Sequence, residues 1–298
     1  MRTRIMVSIT AACLLGAPPA WGQPRVVIAA AANTNPANCR FTDIQAKLMA
    51  TGRFSAVDII NTSSRGRTPS LAELQVYDAV LTWSNVVYGN PTAMGEVLAD
   101  YVDAGGGVVL AVFANAPSGL RLGGRWISGG YEVIIGGSGQ TQGTRQFLGT
   151  VVVPSHPIMN GVTTFDGGSS SFRPTATVLE PGSTEIAQWD DGRTLVAVGR
   201  NPKRADLGFY PPSSVCATGL WDSRTDGYKL LANALVFVAG CPGDLDGDGD
   251  TDLADLGILL ADFGCTAPGP CPGDLDNDGD TDLADLGILL ADFGCGAP

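Results

Sequence analysis

The chain has 298 residues, with 18 Lys and Arg against 30 Asp and Glu and a formal net charge of −12. That balance, with a pI of about 4.4, excludes binding of nucleic acid through a broad basic surface. Hydrophobic residues make up 44% and charged ones only 16%, which excludes a chain too polar to bury a core.

Residues 1–22 have the layout of a secretory signal peptide: Arg2 and Arg4, an apolar stretch over 5–15, then Ala20-Trp21-Gly22 as a small-x-small cleavage site. A lipoprotein signal ending at Cys13 is the alternative. No later segment reaches the roughly 18 apolar residues of a membrane span. The mature protein is therefore expected to be secreted, extracellular and without a transmembrane segment. Without Cys13 six cysteines remain, Cys39, Cys216, Cys241, Cys265, Cys271 and Cys295. An even number suits an oxidising compartment, and none has the tight spacing of a zinc site.

Residues 24–240 are long enough for one substantial core. A buried strand is expected over 25–32, a helix over 41–50, and strands over 54–60 and 78–84. Asn90-Pro91 is a helix start, cap then first-turn proline. Met94, Val97, Leu98, Tyr101 and Val102 line one face of that helix, Gly105-Gly-Gly ends it, and a fourth strand covers 108–113. Alternation of this kind predicts an α/β fold, a parallel sheet flanked by helices. Short strands follow over 150–153, 176–179, 185–189 and 194–198, and a last helix over 226–238. Asp190-Asp191 before Gly192 reads as a hairpin turn. Arg200, Lys203 and Arg204 read as a solvated loop. Trp83, Trp126 and Trp189 are read as buried aromatics, with a sugar-binding surface as the alternative.

From 241 to 295 one passage is written twice, with Gly247 replaced by Asn277 in the second copy. Every charged residue from 241 onward is an aspartate, seven per copy, so the acidity of the chain resides here. A hard cation such as calcium takes six to eight oxygens, and a twelve-residue loop supplies them at alternate positions. Asp244, Asp246 and Asp248 offer the first three side-chain oxygens. Gly249 marks the sharp turn, Asp250 ligates through its carbonyl, Asp252 directly or through water, and Asp255 closes the loop. Asp274, Asp276, Asp278, Asp280, Asp282 and Asp285 repeat the set around Gly279. Two calcium ions are the expected cofactors, held by loops 244–255 and 274–285. A phased stripe, Leu253, Leu256, Leu259, Leu260 and Phe263, follows at helical spacing, unlike a disordered acidic tail.

Tandem loops closed by aspartate instead of glutamate, each with an exit helix only, resemble a dockerin module. The resemblance covers residues 241–298 and implies a small all-α unit of two EF-hand-like loop-helix repeats. It also implies a cohesin-like extracellular protein or cell-surface component as partner. Such modules are pseudo-twofold, which implies Cys241–Cys295 and Cys265–Cys271 and leaves Cys39–Cys216. Pairing within each repeat is the alternative. Dockerins usually recognise partners through polar or basic side chains, whereas Leu253-Ala254 and Leu283-Ala284 stand at these positions.

Residues 24–240 resemble the class I glutamine-amidotransferase-like, flavodoxin-type fold, and its ThuA-like relatives in particular. The stretches that carry this are Tyr77-Asp-Ala-Val-Leu-Thr-Trp-Ser, Leu98-Ala-Asp-Tyr-Val-Asp-Ala-Gly-Gly-Gly-Val-Val-Leu, His156-Pro-Ile-Met-Asn-Gly-Val and Leu230-Leu-Ala-Asn-Ala-Leu-Val-Phe. Active amidotransferases place a nucleophilic cysteine after the strand at 108–113. Phe113-Ala114-Asn115 stands there instead, and no G-x-S-x-G elbow replaces it. The one histidine, His156, precedes a proline and reads as a structural turn residue. No catalytic residue is therefore assigned.

Two functions are carried forward. In the first, a secreted calcium-binding protein docks a non-catalytic α/β domain onto an extracellular partner. In the second, a secreted hydrolase-like enzyme of polysaccharide or carbohydrate metabolism carries the same dockerin-like tail, and a carbohydrate joins the list of ligands.

Overall fold

The computed structural model describes residues 23–116, 119–135, 139–175, 178–241, 243–246, 251–266, 271–275 and 279–294. The expected signal peptide, Asp248, Asp250, Asp276, Asp278 and Cys295 lie outside the described residues.

In chain order the first half contains β1 (Arg25–Ala30), α1 (Cys39–Ala50), β2 (Ala56–Asn61), α2 (Leu71–Leu74), β3 (Ala79–Thr82), α3 (Pro91–Asp103), β4 (Gly107–Ala111) and α4 (Arg125–Ser128). Then come β5 (Gln140–Thr141), β6 (Leu148–Val151), a 3-10 turn (Pro157–Met159), β7 (Arg173–Pro174), β8 (Thr184–Trp189), β9 (Thr194–Val198), β10 (Arg204–Leu207) and α5 (Gly227–Ala239). The repeats contribute α6 (Leu253–Asp262) and α7 (Leu283–Asp292).

Eight strands form one sheet in the order β2-β1-β3-β4-β10-β9-β8-β6. The first five run parallel, and β9, β8 and β6 add antiparallel neighbours. The parallel strands β1, β3 and β4 are apolar along almost their whole length because helices cover both faces. One face packs α1 and α5 through Phe41, Ile44, Leu231 and Leu235; the other packs α3 through Met94, Leu98 and Tyr101. The caps follow the sequence. Asn90 accepts the Ala93 N–H at 3.0 Å ahead of Pro91, and Asn38 accepts that of Arg40 at 3.1 Å at the start of α1.

Two segments depart from the sequence reading: among the described residues of the strand expected over 176–179 only Leu179 pairs, in an isolated bridge to Ile134, and the second lies at Arg204. Arg204 lies in no solvated loop but opens β10, a buried strand between β4 and β9. Its guanidinium donates to the carbonyl of Gly130 at 2.6 Å, and Lys203 Nζ donates to that of Ala239 at 2.6 Å. Polar heads that find backbone carbonyls let their stems be buried, which hides the strand from a reading by polarity.

Candidate metal centres and the strand-end crevice

In the first repeat Asp244, Asp246 and Asp255 bring one carboxylate oxygen each within 4.8 Å of one another. Asp255 sits in the first turn of α6 and is fully buried. Its Oδ1 accepts the N–H of Leu245 at 2.6 Å and of Asp246 at 3.1 Å, and its Oδ2 that of Asp252 at 2.7 Å. Burial opposes its ionisation, but these backbone donors prevail and hold the carboxyl below its usual range. The closing aspartate is thus aimed by the loop it closes.

In the second repeat Asp280, Asp282 and Asp285 converge in the same way. Asp285 is again fully buried and accepts from Leu275 N at 2.6 Å and Asp282 N at 2.8 Å. Among the described residues the two sets take different aspartates. Asp252 stays outside the first and caps α6, accepting from Ala254 N at 2.6 Å. Asp282 makes the equivalent cap and also joins its cluster. Asp274 stays outside the second cluster and accepts the N–H of Gly279 at 3.1 Å, where φ is +102°. Asp280, expected to act through its carbonyl, brings its carboxylate to the group. Both sets consist of anionic oxygen donors, the chemistry that fits a hard divalent cation such as calcium.

The repeats are also fastened to each other, by residues the sequence reading did not single out. Asp292, ending α7, accepts the Gly243 N–H at 2.6 Å and the Thr251 hydroxyl at 2.7 Å. Asp262, ending α6, accepts the Gly273 N–H at 2.7 Å and the Thr281 hydroxyl at 2.8 Å. Gly294 N donates to the Thr251 carbonyl and Gly264 N to the Thr281 carbonyl, both at 2.8 Å. Each exit helix therefore ends on the other repeat's loop. Burial pushes the Asp292 carboxyl up to about 6, against the Thr251 and Gly243 donors. The Cys265–Cys271 disulfide, with 5.7 Å between Cα atoms, joins the repeats as expected. Cys39–Cys216 is formed in the body, with a Cα separation of 5.3 Å. Cys241 is disulfide-bonded, and its expected partner Cys295 lies outside the described residues.

Open α/β sheets bind ligands beyond the carboxyl ends of their strands. At that edge Phe113, just after β4, packs edge-on against Phe172 at 5.0 Å and lies 5.4 Å from Tyr210, just after β10. Asn115, in the turn where an amidotransferase has its nucleophile, donates through Nδ2 to the Ile134 carbonyl at 3.3 Å. His156 caps the 3-10 turn, its Nδ1 accepting from Ile158 N at 3.2 Å, and its ring lies 4.8 Å from Phe237. Burial holds its pKa below the usual histidine value. Asp191 pairs with Arg173 at 2.8 Å and Arg193 at 3.2 Å in the hairpin turn, while Asp190 accepts the Phe147 N–H at 3.1 Å. Trp83, Trp126 and Trp189 are all buried, so they form no sugar-binding surface.

No protein-family model matches the chain, and no curated protein matches it in sequence. Solved structures are similar to it in fold. A ThuA-like protein from Parabacteroides merdae superposes with a TM-score of 0.51 at 15% identity, over 72% of this chain and 90% of that one. A ThuA-like protein from Bacteroides uniformis gives 0.49 at 13%, over 73% and 91%. A glutamine amidotransferase from Thermotoga maritima gives 0.40 at 10%, over 63% and 76%. At 15% identity the likeness to the Parabacteroides merdae structure shows the fold of the body and nothing about its chemistry.

Proposed function

We propose that this chain is a secreted calcium-binding protein whose residues 241–298 form a dockerin-like module of two EF-hand-like repeats. The module attaches a non-catalytic α/β domain, residues 24–240, to an extracellular partner such as a cohesin-like protein. The observation that carries this reading is the pair of carboxylate clusters, each closed by a buried aspartate that the loop's own N–H groups orient. Crowded carboxylates repel, and a divalent cation makes their convergence favourable.

The apolar stripe of each exit helix divides in two. Leu259 and Leu289 are fully buried, whereas Leu253 and Leu283 are 74% and 73% exposed. Leu260, Phe263, Leu290 and Phe293 are exposed with them. A repeated apolar face on an otherwise acidic unit supports an apolar contact with a partner. His156, bound to its own turn, and Asn115, bound to Ile134, support a body that does not catalyse. No helix among the described residues is long and apolar enough to cross a membrane.

Calorimetric titration of the full chain with calcium tests the reading. Two ions should bind, one fewer after Asp255→Ala and one fewer after Asp285→Ala. Absence of calcium binding by the unmodified chain would defeat the proposal.

A further inference from the structure

The outer margin of the sheet carries a cleft that the docking reading does not use. β2 ends the strand order, so only β1 pairs with it. Thr62 N, just after the strand, donates to the Ala30 carbonyl of β1 at 2.9 Å. The alternate residues Val57, Ile59 and Asn61 therefore turn their N–H and C=O groups to the free side. Both ends of that side are covered. The Val57 carbonyl accepts from Gln45 Nε2 at 2.7 Å, and the Asn61 carbonyl from Arg67 N at 2.9 Å. Between them, the N–H and C=O of Ile59 meet no partner among the described residues.

Beside Ile59 lies an open cavity of about 500 Å³, set between β2 and the segment of α2. Ligand sites commonly enclose about 300–1,000 Å³. Its apolar lining is Ile59, Ile60, Ala72, Val76 and Tyr77. Val76 is 56% exposed, an apolar side chain left uncovered beside the strand. The charged side chains of the lining are answered within the protein. Arg67 pairs with Glu73 at 2.8 Å, and Asp58 with Arg25 at 2.7 Å. The Tyr77 hydroxyl donates to Asp58 at 3.0 Å. A cleft whose charges are balanced at home asks for neither a net cation nor a net anion.

The occupant follows from these two features together. An outward N–H and C=O on one residue form a donor and acceptor pair spaced for the main chain of another strand. An edge strand recruits an extended segment through such bonds, and pockets alongside it take alternate side chains. A neutral main chain with an apolar side chain matches both the free pair at Ile59 and the uncharged balance of the cleft. A second copy of this chain fits poorly. Two β2 strands paired about a twofold axis need the Val57 and Asn61 carbonyls, which Gln45 and Arg67 already hold. Gly66 also stands against that end, so close that a Cβ there would meet the Asn61 carbonyl oxygen at 1.8 Å. A short strand centred on Ile59 avoids both covered ends.

We propose that this edge binds a short extended peptide of another protein, its main chain paired with Ile59 and one bulky apolar side chain seated on Ile60, Val76 and Tyr77. The site lies in the body and does not rest on the calcium reading. The probes are peptides selected on the full chain from a displayed library of random short sequences, then made with both ends capped. Nuclear magnetic resonance follows the Ile59 amide, assigned by isoleucine labelling and its loss in Ile59→Val. The selected peptides should share a bulky apolar residue, and titration should move the Ile59 amide downfield with saturation. Val76→Asp, at an exposed position, should weaken binding about tenfold or more. Methylating the peptide nitrogens one at a time should find a position with a similar loss, since the methyl removes a main-chain donor. A library that yields no binder overturns the proposal, as do selected peptides that leave the Ile59 amide in place. A shift of that amide with protein concentration alone, together with a dimer in sedimentation, overturns it in favour of a second copy. The unmodified chain decides these outcomes even if Val76→Asp fails to fold.

Discussion

The Asp206 carboxylate, inside the central sheet on β10, takes the backbone N–H of Ile134 at 2.8 Å and of Val133 at 3.1 Å. Burial pushes its pKa up to about 8, and nearby Glu132 adds to the rise, against those donors and Arg204. The folded value thus lies above the roughly 3.9 of an unfolded chain. Between those values the folded protein keeps a proton that the unfolded chain has released. The stability this group contributes is full below about pH 4 and is lost as pH rises toward 8. Asp206→Asn keeps the accepting oxygen and removes the titration. Denaturant unfolding should show the wild type losing about 3–4 kcal/mol more than the variant between pH 5 and 8. Parallel profiles would refute the assignment.

The exchange of Asp262 and Asp292 between repeats makes a second prediction. Asp292→Ala leaves the buried Thr251 hydroxyl and the Gly243 N–H without their acceptor. The cost is about 1–3 kcal/mol, and Asp262→Ala should cost a similar amount. Thr251→Val on top of Asp292→Ala should add little, because the hydroxyl's partner has already gone. Thermal melts of the four chains with calcium present measure that coupling, expected to be at least about 0.5 kcal/mol.

Chelation should separate the molecule into two thermal transitions. On the proposed reading the repeated segment takes its order from bound cations, while the body rests on its own core and on Cys39–Cys216. Differential scanning calorimetry with EDTA should move only the transition of residues 241–298. A single transition unmoved by EDTA would count against metal-coupled folding.

The near-identical helices predict redundancy in docking. Leu253→Asp or Leu283→Asp alone leaves one intact face, so binding to a partner captured with calcium should fall about twofold or less. The double change should abolish it. A large loss from either single change would show that the faces are not equivalent.

Much of this was legible in the sequence, and for definite reasons. β1, β3 and β4 are continuous apolar runs, and Asn90-Pro91 and the repeat each carry their own punctuation. β10 was not legible, because its four residues include Arg204 and Asp206, whose polar heads find their partners in Gly130, Val133 and Ile134. Asp262 and Asp292 were visible as the seventh aspartate of each copy, yet their role depends on contact with the opposite repeat.

Val108 of β4 has its outer partner in Arg204 of β10. During synthesis, therefore, β4 presents a bare apolar margin until the chain has emerged past Leu207. Contacts so distant along the chain slow folding and lengthen the time in which such a margin can find another molecule. A polypeptide truncated before β10 would keep that margin permanently and should aggregate, while one cut after Gly240 should close its sheet.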